Sequence, residues 1–157
     1  MMKEHTIPPF YNSDSKVLIL GSFPSVKSRE EGFYYAHPQN RFWKVLANIF
    51  NEEITDKKAF SKKHQIALFD VCASCEIKGS SDASIKKVIP NDIKKLIEES
   101  EIKVILLNGK TATNLFEKWM KDIEIPTISL PSTSPANATY SLDKLTKEYE
   151  IIKKFTK

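Results

Sequence analysis

Four short apolar runs punctuate the chain, at 17–21 (VLILG), 66–71 (IALFDV), 104–108 (VILLN) and 127–130 (TISL). Each is brief and almost continuously apolar, the pattern of strands buried on both faces. Between them the apolar residues recur at helical spacing. Positions 41–50 place Phe42, Trp43, Leu46, Ala47 and Phe50 on one side, and 56–64 gives a shorter, weaker helix. Positions 91–99 follow Pro90, with Asn91 as the expected cap and Ile93, Leu96 and Ile97 turned inward. Positions 111–121 bury Ala112, Leu115, Phe116 and Trp119, and Ser141 caps a last helix presenting Leu142, Leu145, Tyr149 and Ile152.

Strands alternating with helices predict an α/β fold, a parallel sheet with helices on both faces. The longest irregular stretches are 22–38, 72–90 and 131–140. Loops of that length in a compact chain are usually functional. Everything that directly follows a strand lies at the carboxyl edge of a parallel sheet, where open α/β sheets bind ligands. GSFPS, DVCASCEIKGSSD, NGK and LPSTSPANA are therefore expected to converge on one cleft.

The length, 157 residues, predicts one domain, 1–157. The charge, 24 Lys+Arg against 20 Asp+Glu, permits an anionic partner without demanding one. The two arginines, Arg29 and Arg41, both fall in the stretch GSFPSVKSREEGFYYAHPQNRFW, among tyrosines, Asn40 and Trp43. Such a mixture suits contact with something planar, polar or anionic, since Arg pairs bidentately with phosphate or carboxylate. No run approaches the roughly 20 apolar residues of a membrane span. The N-terminal residues lack the apolar core of a signal peptide, so an intracellular, cytoplasmic protein is expected. Cys72 and Cys75 form a lone C-x-x-C, and His5, His37 and His64 show no ligand spacing beside it. The pair reads as two reduced loop thiols.

The loops carry the candidate chemistry. Gly21-Ser22-Phe23-Pro24-Ser25 allows close backbone approach but is neither a dinucleotide fingerprint nor a Walker loop. Tyr34 and Tyr35 read either as stacking platforms for a base or as rings packing the loop down. Asn40 orients a water or meets a base edge, or else caps the helix it precedes. Asn108 ends a strand where its amide can read a base, or opens the following turn. Ser132, Thr133 and Ser134 have the hydroxyls of a phosphate contact in a loop stiffened by two prolines. Asp70 is read as a structural acceptor; Asp82 is left open.

The ordered set GSFPS, YYAHPQNRFW, DVCASCEIKGSSDASI, NGK and LPSTSPANA resembles the uracil-DNA glycosylase superfamily. It is most similar to the DNA-deoxyinosine (hypoxanthine-DNA) glycosylase branch, and the likeness spans nearly the whole chain. AHPQNRFWKV and SLDKLTKEY also resemble the mismatch-specific uracil glycosylases. Those enzymes carry an Asn in a G-I-N-P-G first motif; Phe23 stands there in this chain. In the deoxyinosine branch the Asn of HPQN is the functional amide, which is Asn40. Several relatives also carry a histidine in the last motif, and Leu130-Pro131-Ser132 has none.

The resemblance implies a three-layer α/β/α sandwich around a four-stranded parallel sheet. It implies hydrolysis of the N-glycosidic bond of a deaminated base, hypoxanthine first, flipped out of double-stranded DNA by a monomer. No metal or cofactor is implied. In that frame Asn40 is the catalytic amide. Phe23, Tyr35 and Asn108 hold the base, with Tyr35 stacking on it. Ser25, Arg41, Lys110, Ser132, Thr133 and Ser134 contact DNA, and Pro135-Ala136 fills the gap left in the duplex. The alternatives are a mismatch-specific uracil or thymine glycosylase, and a non-catalytic nucleic-acid-binding module on the same fold.

Overall fold

The computed structural model describes residues 1–156. Its central sheet has four parallel strands, β2 (Val17–Gly21), β3 (Ile66–Asp70), β6 (Val104–Asn108) and β7 (Thr127–Leu130), in the order β3-β2-β6-β7. The register pairs Val17 with both Ile66 and Val104, so the ends of β2 and β3 stop level, Gly21 opposite Asp70. β2, β3 and β6 are buried along their whole length, as their unbroken apolar runs require. β7 departs from the expected pattern. It is an edge strand that exposes Thr127 and Ser129 and buries only Leu130.

The helices are α1 (Val26–Glu31), α2 (Phe42–Phe50), α3 (Lys57–Lys63), α4 (Ile93–Glu98), α5 (Lys110–Trp119) and α6 (Leu142–Tyr149). α2 packs on α6, α3 on β3, and α5 on β6 and β7, giving the expected α/β/α sandwich. The core joins the strands to Phe42, Val45, Leu46 and Ile49 of α2 and to Leu145 and Tyr149 of α6. Ser141 caps α6 by accepting from the Lys144 amide at 3.2 Å.

Three local expectations change. Asp92, not Asn91, caps α4, its carboxylate accepting from the Lys95 amide; Asn91 instead donates to the Asp70 carbonyl at 2.9 Å and ties off β3. Trp119, at the end of α5, is 41% exposed rather than buried, with the Lys118 ammonium 5.3 Å from its ring centre. The stretch 72–90 is not one loop. It holds β4 (Cys72–Glu76) and β5 (Lys86–Pro90), which pair antiparallel with each other and with β1 (Met2–Glu4) as a second, three-stranded sheet. Cys72 and Cys75 are thus free thiols on a buried strand, not in a loop. Polar residues and two register shifts in β4 hide this strand from an alternation test.

Candidate active site

The loops at the carboxyl edge of the central sheet enclose a cleft of about 650 Å³. Its walls come from 21–28, 34–40, 80–83, 108–111 and 132–137, so the four strand-end segments do meet.

The floor lies where β2 and β3 end. Gly21 is required there: a Cβ would lie 2.5 Å from Asp70 Oδ1 and 3.2 Å from the Tyr35 hydroxyl. Asp70 is buried, and its Oδ2 meets His5 Nε2 at 2.8 Å. His5 comes from the N-terminal segment, where no periodicity marks it out. The same segment is anchored by Tyr34, whose hydroxyl donates to the Pro8 carbonyl at 2.9 Å. Tyr34 is thus a core residue, with Trp43 Nε1 donating to its carbonyl.

One wall is the β2–α1 turn joined to the β4–β5 loop. The Ser22 hydroxyl donates to Asp82 Oδ1 at 2.8 Å, the Val26 amide to Ser80 Oγ at 2.9 Å, and Arg29 to the Gly79 carbonyl at 3.2 Å. Arg29 also lies over the Phe23 ring, 5.2 Å from its centre, which gives this arginine a structural place. Phe23 lines the cleft from a small apolar cluster with Cys72, Cys75 and Ile77. Ser25 lines it as the cap of α1, accepting from the Ser28 amide at 3.1 Å. Asp82, which the sequence left open, faces the cleft without an ion-pair partner among the described residues. Burial pushes its carboxyl above the usual range; the Ser22 bond lowers it in part, and Asp70 raises it further.

The opposite wall carries no carboxylate. Asn108 is buried and grips Thr133 twice: its Nδ2 donates to Thr133 Oγ1 and its Oδ1 accepts the Thr133 amide, both at 3.1 Å. Asn108 therefore lines the cleft as a brace between β6 and the next loop. Thr133 is fully buried, which removes it from any phosphate contact. Gly109, at φ 102°, lets Ser132 approach to 3.0 Å from where its Cβ would stand. That approach is by the protein's own loop rather than by a ligand.

Arg41 is the larger correction. Expected at a backbone phosphate, it is instead bound to carbonyls of the 133–140 loop. Its guanidinium donates to Ser134 at 2.8 Å, Asn137 at 3.0 Å, Thr133 at 3.4 Å and Tyr140. The loop curls around a planar donor that fits several carbonyls at once. It also closes on itself through the Ser134 amide to Ser132 Oγ, the Ala136 amide to Ser134 Oγ, and Asn137 Nδ2 to the Ser132 carbonyl. Pro135 and Ala136 stand exposed at its tip, and Lys110 is exposed at the start of α5.

Asn40 lines the cleft beside this wall. Its Oδ1 accepts the Phe42 amide at 2.9 Å, so part of the capping alternative is real. That bond fixes the amide, and Nδ2 makes no hydrogen bond among the described residues. Tyr35 also lines the cleft. One face of its ring is covered by Phe42, with centroids 4.1 Å apart, and its buried hydroxyl has no hydrogen-bond partner. Among the described residues no group of three or more His, Cys, Asp or Glu side chains gathers to hold a metal ion. None of the helices described is long and apolar enough to cross a membrane.

Comparison with known proteins agrees with this architecture. The family described as the Uracil DNA glycosylase superfamily matches residues 8–156. A protein of Methanosarcina barkeri named hypoxanthine DNA glycosylase is 31% identical over 142 residues, 87% of this chain and 89% of the relative. Its namesake from Methanosarcina acetivorans is 32% identical over 149 residues, covering 91% and 94%. A solution NMR structure of a candidate uracil DNA glycosylase from M. acetivorans superposes with a TM-score of 0.83 at 28% identity, covering 99% of both chains.

Proposed function

The chain belongs to the uracil DNA glycosylase superfamily, and on that premise we propose that it excises hypoxanthine from deoxyinosine in DNA. The observation that carries the reading is Asn40. It stands at the rim of a 650 Å³ cleft, its carbonyl end fixed by the Phe42 amide and its amide nitrogen unspent. The relatives named hypoxanthine DNA glycosylase support the choice of base.

Breaking an N-glycosidic bond leaves a cationic, oxocarbenium-like sugar and a base that carries the bonding pair. Donors aimed at the base lower that barrier, and preorganised donors do so without reorganising. Asn40 Nδ2 is such a donor, acting on the reacting nucleotide or on the attacking water. Asp70 and Asp82 favour positive charge developing above them. Lys110, Ser132, Ser134 and Ser25 border the same opening and serve the phosphates, while the exposed Pro135-Ala136 tip enters the space vacated by the flipped nucleotide. On this reading the protein acts on DNA inside the cell, as a monomer.

The test is direct. Duplexes bearing one inosine, xanthine, uracil or ethenoadenine are incubated with protein and chelator, then treated with alkali to cut abasic sites. Inosine duplexes are expected to be cut. Efficient uracil release with inosine untouched overturns the choice of base, and binding to damaged duplex with no base released points to a binding module.

A further inference from the structure

Tyr35 combines a ring fixed by packing with two features that folding does not explain, a strained backbone and an orphaned hydroxyl. Its backbone is left-handed, at φ 54°, a conformation that aromatic side chains rarely adopt. Its ring is held flat against Phe42, with planes 28° apart. Its hydroxyl is buried with no partner, beside Asp70 and the end of β2, in the floor of the cleft. The Asn108 amide lies near it without meeting it at hydrogen-bond geometry. A phenylalanine would stack on Phe42 equally well and leave no orphaned polar atom. An unsatisfied buried hydroxyl destabilises a fold unless its partner arrives later.

We propose that this partner is the flipped base: Tyr35 donates its hydroxyl hydrogen to the 6-carbonyl oxygen of the purine as the N-glycosidic bond breaks. The inference rests on hypoxanthine excision and adds the group that reads its carbonyl. As the C1′–N9 bond breaks, its electron pair leaves on the base, and negative charge spreads to the 6-oxygen. Water adds its oxygen to C1′, and its released proton ends on the purine. The phenol keeps its own proton and only shares it. Burial, reinforced by the Asp70 carboxylate, pushes the Tyr35 phenol well above its usual range, so it remains a donor at working pH. Adenine presents an amino group at the same position. The hydroxyl would then have to accept, and the stabilisation of the leaving base is lost.

The experiment is a cycle of two proteins and two bases. Wild type and Tyr35→Phe act on matched duplexes carrying deoxyinosine or 2′-deoxynebularine, whose purine lacks the 6-oxygen. Single-turnover release of hypoxanthine is expected to slow about tenfold or more in the variant. Release of unsubstituted purine stays within about twofold, because there is no oxygen to lose contact with. The melting temperature holds or rises, since an orphaned hydroxyl has been removed. Should purine release be too slow to time, affinities for the two duplexes complete the same cycle. Equal slowing on both bases, or no slowing on either, overturns the proposal. Wild-type protein inert on the inosine duplex removes the functional reading itself. Wild-type activity matched by Tyr35→Phe removes only the role of the hydroxyl.

Discussion

On the β2–β3 side of the cleft the fixed groups are acids, Asp70 held by His5 and Asp82 held by Ser22. On the β6–β7 side they are an amide, hydroxyls and one guanidinium turned onto carbonyls. A protein that grips a polyanion gains nothing in binding from one buried and one half-buried carboxylate. Their presence fits a wall that faces the sugar cation rather than the phosphates. The neutral wall, with Asn40 beside it, is held by its own hydrogen bonds: Asn108, Thr133, Ser132, Ser134 and Asn137 all have protein partners. One side of the cleft is thus electrostatic and the other geometric.

Breaking the geometric side has the largest expected effect at Asn40. Asn40→Ala is expected to slow single-turnover excision by about two orders of magnitude, as for loss of one well-placed donor. It also forfeits the Phe42 contact, worth about 1 kcal/mol of stability. Asn40→Asp sharpens the point. The carboxylate still accepts from Phe42, so melting should match wild type, but the Nδ2 donor is gone and excision should fall as far as in the Ala variant. An Asp variant that cleaves normally would reduce Asn40 to a cap.

Arg41 comes next. Arg41→Ala and Arg41→Lys are both expected to lower unfolding free energy in urea by about 2–3 kcal/mol, because carbonyls of the 133–140 loop lose a charged donor. A lysine keeps the charge but cannot fork onto several acceptors. If Lys restored DNA affinity and stability together, charge rather than geometry would be the property that matters.

The smallest effect belongs to the acidic side. Asp82→Asn keeps an acceptor for Ser22 and removes one negative charge facing DNA. Affinity for any duplex should tighten by about fivefold or less. Because the folded protein holds the Asp82 proton more firmly than the unfolded chain, this residue lowers stability at neutral pH, and the deficit fades as pH falls through the raised value. The Asn variant should therefore melt higher at pH 7, with the gain shrinking toward pH 4. Weaker binding in the Asn variant would contradict the electrostatic assignment of that wall.

Much of this is legible in the sequence, and for physical reasons. Strands buried on both faces announce themselves as apolar runs, so 17–21 and 104–108 coincide with β2 and β6. Segments after parallel strands must share an edge, so the cleft followed from order alone. The antiparallel ribbon did not, because Cys72–Glu76 and Lys86–Pro90 mix polar and apolar residues and are broken by register shifts. Side-chain roles were least legible. Nothing in the spacing of Arg41 or Thr133 tells whether a donor will meet a phosphate or its own loop. Nor could spacing reveal that His5 would lie under Asp70, 65 residues away.

The register shifts in β4 have a practical side. Cys72 and Cys75 are both fully buried behind Phe23, and burial raises both thiols. Thiols kept protonated and covered react with alkylating reagents only while the strand is lifted away. The rate at which they are trapped therefore counts how often the acidic wall opens, a clock set into the chain that needs no added label. Read with and without duplex, it would show whether DNA changes how often that wall opens.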